Sequence, residues 1–102
     1  MGRLIPTDKP WGWTVEIAPN IEYALIQEGG TSSWHRHRKY RNRFYVVSGI
    51  LAVICEVGGT HELKAGDVYR CEANNWHSFK ALTDVFLIEV YDEPDIEREK
   101  LS

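Results

Sequence analysis

Short runs of β-branched and aromatic residues, each cut off by Gly, Asn or Pro, constrain this sequence most. Pro19-Asn20, Gly29-Gly30, Ser48-Gly49, Gly58-Gly59, Ala65-Gly66-Asp67 and Ala73-Asn74-Asn75 punctuate it. Gly and Asn reach left-handed backbone conformations at low cost, and Pro withholds an amide hydrogen, so these steps turn the chain. Between them the sequence predicts strands at 13–18, 21–28, 31–38, 44–47, 50–57, 60–63, 68–72, 76–82 and 85–91. Turns recur about every 8–12 residues, the rhythm of an all-β sandwich or barrel. No segment before residue 92 shows helical periodicity. In residues 92–102, Pro94 suits a first helical turn, so a short helix is predicted there, too charged to join a core.

At 102 residues the chain has room for one domain, 1–102, with a core over about 10–91 and a charged tail at 92–102. Any chemistry must fit inside one small core or between two copies. No apolar run approaches the roughly 20 residues of a membrane span, so no membrane partner is expected. Residues 1–13 lack the apolar stretch of a secretory signal. Cys55 and Cys71 fall inside strand-like segments, outside any CxxC arrangement. Two reduced thiols in a cytoplasmic protein are the expectation.

The net charge of −3 speaks against a nucleic-acid partner. It also conceals an asymmetry. Arg36, Arg38, Lys39, Arg41 and Arg43 place five of the twelve basic residues within eight positions, which leaves −8 on the rest of the chain. Asp92, Glu93, Asp95, Glu97 and Glu99 crowd the tail. The basic cluster could ring a pocket and hold an anion, or face outward toward solvent or a second copy.

His35 and His37 are two residues apart, so on a strand they point to one face. His77 lies 40 residues further on. In a closed antiparallel sandwich, distant strands can aim side chains into one cavity. Converging neutral imidazoles there suit Fe, Mn, Ni, Zn or Cu. An HxH pair on a surface strand is the bland alternative. His61, in a short hairpin, is expected to be exposed and without a role.

The glycine frame around the histidines adds to this. Gly29 is followed after five residues by His35-Arg36-His37, after four more by Asn42, and after six more by Gly49. Gly66 is followed after ten residues by His77. This spacing resembles the two motifs of the cupin superfamily and implies a small antiparallel barrel or jelly roll with a metal site inside. The resemblance assigns His35, His37 and His77 as ligands. The carboxylate of the family's first motif falls on Asn42, which would give a weak, neutral fourth ligand. In the second motif, Glu72, Asn74 and Ala81 stand where Pro, Gly and Asn are usual. Asn74 can still take a left-handed turn. Pro10-Trp11-Gly12, Ser33-x-His35-x-His37-Arg38, Val46-Val47-Ser48-Gly49 and Leu87-Ile88-Glu89-Val90 resemble the cupin domain of type II mannose-6-phosphate isomerases and mannose-1-phosphate guanylyltransferases. That likeness implies a sugar-phosphate context.

Strand parity places Phe79 and Ala81 on the His77 face, and Leu87, Glu89 and Tyr91 together on one face of the last predicted strand. A lone carboxylate among apolar neighbours is costly to bury, which makes Glu89 a candidate general base if it faces the cavity. Parity turns Arg36 and Arg38 away from the histidines. Three functions are open on this reading. The first is a metal-dependent isomerase of a small, anionic sugar phosphate. The others are a three-histidine iron dioxygenase and a non-catalytic sensor or binding module. A homodimer is expected, with Trp and Tyr side chains at its interface.

Overall fold

The structure, a computed structural model, describes residues 5–36 and 41–92, and the backbone of 99–101. His37, Arg38, Lys39 and Tyr40 lie outside the described residues, as does most of the tail. The described residues form eleven strands: β1 (Thr7–Lys9), β2 (Gly12–Ala18), β3 (Ile21–Ile26), β4 (Trp34–Arg36), β5 (Asn42–Ser48), β6 (Ile50–Cys55), β7 (Gly59–Lys64), β8 (Val68–Cys71), β9 (His77–Ala81), β10 (Val85–Tyr91) and β11 (Glu99–Leu101). They form two antiparallel sheets, in the orders β1-β2-β3-β10-β5-β8 and β11-β4-β9-β6-β7. The all-β expectation holds, and no described helix is long and apolar enough to cross a membrane.

The turns fall where the sequence places them. Gly49, between β5 and β6, has φ +89°, and a Cβ there would run into the Asp84 carbonyl oxygen. Asn74 is the non-glycine residue with positive φ among those described, at +65°, as the Gly-to-Asn exchange requires.

Two expectations need correction. The described part of the tail is β11, an edge strand paired with β4 through Glu99↔Arg36, Lys100↔His35 and Leu101↔Trp34, not part of a helix. The unpaired backbone of β4 outweighs the weak helical preference of a charged segment. The third predicted strand, 31–38, is described only as β4, with Thr31 joined to Lys80 by an isolated bridge. The pattern also missed β1, whose Thr7-Asp8-Lys9 carries no apolar alternation and is held by pairing to β2.

The core lies between the sheets. Ala24, Ile26, Phe44, Val46, Val85 and Leu87 come from the six-stranded sheet, and Leu51, Val53, Leu63, Phe79 and Ala81 from the other. The outer face of the six-stranded sheet is also apolar. Register sets Val15, Tyr23, Ile88, Tyr45 and Val68 side by side across five strands. Phe86, Val47 and Val68 are exposed there. Arg43 and Arg70 pair directly at one end of this face, with the Arg43 guanidinium 6.0 Å from the Tyr45 ring.

Candidate metal centre and pocket

The inner faces of both sheets carry polar residues in register. On the five-stranded sheet, register aligns His35, His77 and Cys55 on β4, β9 and β6. On the six-stranded sheet, Asn42 on β5 pairs with Tyr91 on one side and Cys71 on the other. The neighbouring row holds Glu16, Glu22, Glu89, Phe44 and Tyr69. The rows meet across the sandwich. The His77 Nδ1 atom lies 3.1 Å from Cys71 Sγ, and its ring centroid is 6.0 Å from that of Phe44.

His35 and His77 are both buried, with ring centroids 4.4 Å apart. Each directs Nδ1 at a backbone carbonyl two residues back: His35 at Ser33 O, 2.8 Å, and His77 at Asn75 O, 2.9 Å. A carbonyl only accepts, so both nitrogens carry their proton and donate. That fixes one tautomer and leaves the lone pair on Nε2, the arrangement found when imidazole binds a metal. The chain does this locally, because each histidine enters its strand straight from the turn that supplies the carbonyl.

Asn42 is 1% exposed and donates its amide to Glu89 Oε2 at 2.7 Å. Its Oδ1 is buried and has no hydrogen-bond partner among the described residues. A buried neutral oxygen in this state fits a metal ligand better than an ordinary core amide. Among the described residues, no three His, Cys, Asp or Glu side chains gather as a ready-made metal site. His37, the remaining ligand implied by the resemblance, lies outside them.

Glu89 faces inward and is 8% exposed, with Leu87 and Tyr91 on the same side, as parity predicts. It lines a cavity of about 260 Å³ together with His35. Trp11 forms an apolar wall and stacks edge-on against Phe79 at 5.2 Å. Thr14, Thr31, Ser32 and Ser33 offer hydroxyls, and Lys9 and Glu22 bring charge of both signs. Lys9 and Glu22 escaped the sequence reading. Lys9 sits in the unpatterned β1, and the importance of Glu22 comes from the cross-strand pair Glu22↔Glu89, which local sequence does not reveal.

The basic cluster does not line this cavity where it is described. Arg36 lies over the Trp76 ring at 4.7 Å, Arg41 pairs with Asp92 at 3.2 Å, and Arg43 lies near Tyr45. Among the described residues, Lys9 on β1, not the arginines, brings the positive charge to the cavity.

His61 is half-buried, contrary to expectation. Its ring lies 4.6 Å from that of Tyr69, and the Tyr69 hydroxyl is 3.4 Å from Cys55 Sγ. Cys55 and Cys71 are free and buried. The Cys71 hydrogen bond draws the Cys55 thiol down to about 6, against burial and with help from the Tyr69 hydroxyl and the positive field of His61. The same bond, followed by burial, pushes Cys71 up, so the pair shares a proton. Burial first, then the hydrogen bond to Cys55, pushes Tyr69 up.

This fold has many solved counterparts. A Lactobacillus farciminis oxalate decarboxylase in complex with formate superposes with a TM-score of 0.78 at 24% identity, over 96% of this chain and 33% of that one. KdgF from a Halomonas species gives 0.72 at 24% identity, covering 88% of this chain and 87% of that one. Ectoine synthase from P. lautus gives 0.77 at 14% identity, covering 95% and 80%. The chain thus spans about a third of the oxalate decarboxylase and most of the other two. At these identities the likeness is one of fold. No curated protein matches in sequence. The cupin domain model matches residues 22–91, a stretch that runs from Glu22 through the strands of His35 and His77 to Tyr91. The chain belongs to the cupin family.

Proposed function

We propose that this cupin binds a divalent transition metal and moves a proton on a small, hydroxylated, anionic substrate, with sugar-phosphate isomerisation as the reaction. The observation that carries this reading is Glu89, a carboxylate held buried by Asn42 on the wall of the cavity that His35 also lines. A buried carboxylate on a cavity wall, beside a histidine, is the kind of group that proton chemistry uses.

The residues divide the work as follows. Lys9 meets the anionic group of the substrate, while Thr14, Thr31 and Ser32 hydrogen-bond its hydroxyls. Trp11 gives a flat apolar wall for a sugar ring or chain. Glu89, oriented through Oε2 by Asn42, takes a proton from the carbon beside the carbonyl and returns it to the neighbouring carbon. The Nε2 atoms of His35 and His77 and the Oδ1 of Asn42 would hold the metal, with His37 added by the motif resemblance. When bound, the metal would polarise the substrate's carbonyl and hydroxyl oxygens. The formate in the oxalate decarboxylase complex is a small anion, and the mannose-6-phosphate isomerase-like sequence pieces favour a sugar phosphate.

The test is conversion of mannose 6-phosphate to fructose 6-phosphate by metal-supplemented protein. Turnover that Glu89→Gln abolishes is expected. No turnover at high protein concentration would remove the isomerase. A second reading, a binding module without turnover, is favoured by Asn42 standing in for the motif carboxylate. It predicts saturable ligand binding with no product. Iron-dependent oxygen uptake would instead point to the dioxygenase. The apolar outer face of the six-stranded sheet supports a second copy of this chain as the protein partner.

A further inference from the structure

The rings of His35 and His77 are oriented by backbone carbonyls, Ser33 O and Asn75 O. Cys71 Sγ lies 3.1 Å from the same His77 nitrogen, but sulfur is the weaker acceptor, so the carbonyl sets the direction of the ring. A carbonyl holds a ring only as firmly as its own segment is held. Neither Ser33 nor Asn75 lies in a strand. Both belong to the irregular segments that lead into β4 and β9. β4 is three residues long, and it meets β9 in the ladder at His35↔His77.

Two side chains supply what the ladders lack there. The Ser32 amide donates to Phe79 O at 3.1 Å, and the Ser32 hydroxyl accepts the Phe79 amide at 3.0 Å. The hydroxyl thus takes the place of a backbone carbonyl beside β9. The same hydroxyl donates to Ser33 O at 3.2 Å, the oxygen that holds His35. Phe79 is two residues beyond His77 on β9, so Ser32 ties the acceptor of one histidine to the strand of the other. Asn75 does equivalent work on the β6 side of His77. Its Oδ1 accepts the Val57 amide at 3.0 Å, and its Nδ2 donates to Val57 O at 2.9 Å. That is the double contact a neighbouring strand would make. The next link is the Glu56 amide to Trp76 O at 2.8 Å. Asn75 therefore fastens the segment before His77 to the chain that follows Cys55, the register partner of His77.

We propose that Ser32 and Asn75 are positioning residues, each stapling the segment whose carbonyl orients one histidine, so that the two rings keep their 4.4 Å pairing. That the pairing serves a metal rests on the reading of His35 and His77 as ligands; the stapling itself does not. Alanine at either position leaves the acceptor carbonyl in the chain but loosens the segment that carries it. Groups that orient metal-binding imidazoles from outside contribute to metal affinity in this way.

The test reads the imidazole N–H protons of isotope-labelled, metal-free protein by NMR at one fixed pH, then zinc affinity by competition with a chelator. In the wild type both Nδ1–H protons should exchange slowly with water. Ser32→Ala should speed exchange at His35 more than at His77, and Asn75→Ala the reverse. Ser32→Thr keeps the hydroxyl and should restore slow exchange. Each alanine variant should bind zinc about tenfold more weakly. Gly66→Ala, strained at the positive-φ turn between β7 and β8, should lose stability and keep wild-type zinc affinity. The Ser32 and Asn75 arms are independent, so misfolding of one variant leaves the other to decide. Ring protons that exchange alike in the wild type and both alanine variants would overturn the proposal. So would a Ser32→Thr variant as impaired as Ser32→Ala, or a Gly66→Ala variant that loses as much zinc affinity, since the loss would then follow general stability. Wild-type protein that binds no zinc would remove the metal reading, and the ring-proton comparison would still decide the positioning.

Discussion

Asn42 and Glu89 are diagonal neighbours on β5 and β10, and the Asn42 amide donates a 2.7 Å hydrogen bond to Glu89 Oε2 inside the sandwich. The position where the family motif carries a carboxylate thus carries that carboxylate's complement. Asn42→Ala leaves Glu89 buried without this donor and should destabilise the metal-free protein by about 2–3 kcal/mol. Glu89→Gln in the Asn42→Ala background should restore part of the loss. Urea unfolding of the two single variants and the double variant gives the coupling. A coupling under about 0.5 kcal/mol would show that the pair is not energetically joined.

Gly49 and Gly59 separate backbone strain from collision. Both have positive φ, at +89° and +77°, but a Cβ on Gly59 meets open space while one on Gly49 meets the Asp84 carbonyl. Gly59→Ala should cost about 1 kcal/mol from the left-handed backbone alone. Gly49→Ala should cost at least about 2 kcal/mol, because Asp84 must also move. Equal thermal shifts for the two variants would contradict the packing described at the β5–β6 turn.

The thiol pair predicts a pH dependence in protein kept reduced and metal-free. The folded Cys55 thiol ionises near 6, well below an ordinary thiol at about 8.5. Its contribution is therefore lost as pH falls through 6 and grows as pH rises toward the ordinary thiol range. Cys71 is shifted the other way, so above that range the unfolded chain releases a proton that the folded one keeps, and stability declines. Melting temperature followed from pH 5.5 to 10 should rise and then fall, and Cys55→Ser should flatten the rise. A rise that persists unchanged in Cys55→Ser would assign it to other groups.

Ile88 and Tyr23 sit at the middle of the apolar outer row of the six-stranded sheet. If a second copy covers this face, Ile88→Glu should convert a dimer to a monomer of unchanged fold, because a charge there faces apolar side chains across the interface. Light scattering with circular dichroism reads both. A wild-type monomer, or an Ile88→Glu dimer, would place any pairing elsewhere.

Strand order of burial was legible in the sequence, and pairings between distant strands were not. Alternation put Leu87, Glu89 and Tyr91 on one face and Phe86 on the other, because the side-chain period of a strand is fixed by its backbone, and the structure shows which face is inside. The turn at Asn74 was readable from its residue type. By contrast, the Asn42–Glu89 bond spans 47 positions and depends on β5 lying beside β10. The Cys71–His77 contact depends on how two sheets face each other, which alternation within one strand does not encode. β1 and β11 are edge strands built from polar residues, and tertiary pairing rather than pattern makes them strands.

Metal content tests the central claim most directly. Protein purified after chelation, incubated with Mn, Fe, Ni or Zn and desalted should retain close to one ion per chain and melt at a higher temperature. His77→Ala should lose the ion and the shift while keeping its β-sheet circular dichroism. Wild-type protein that takes up none of these metals, or a folded His77→Ala that binds as well as the wild type, would contradict the account.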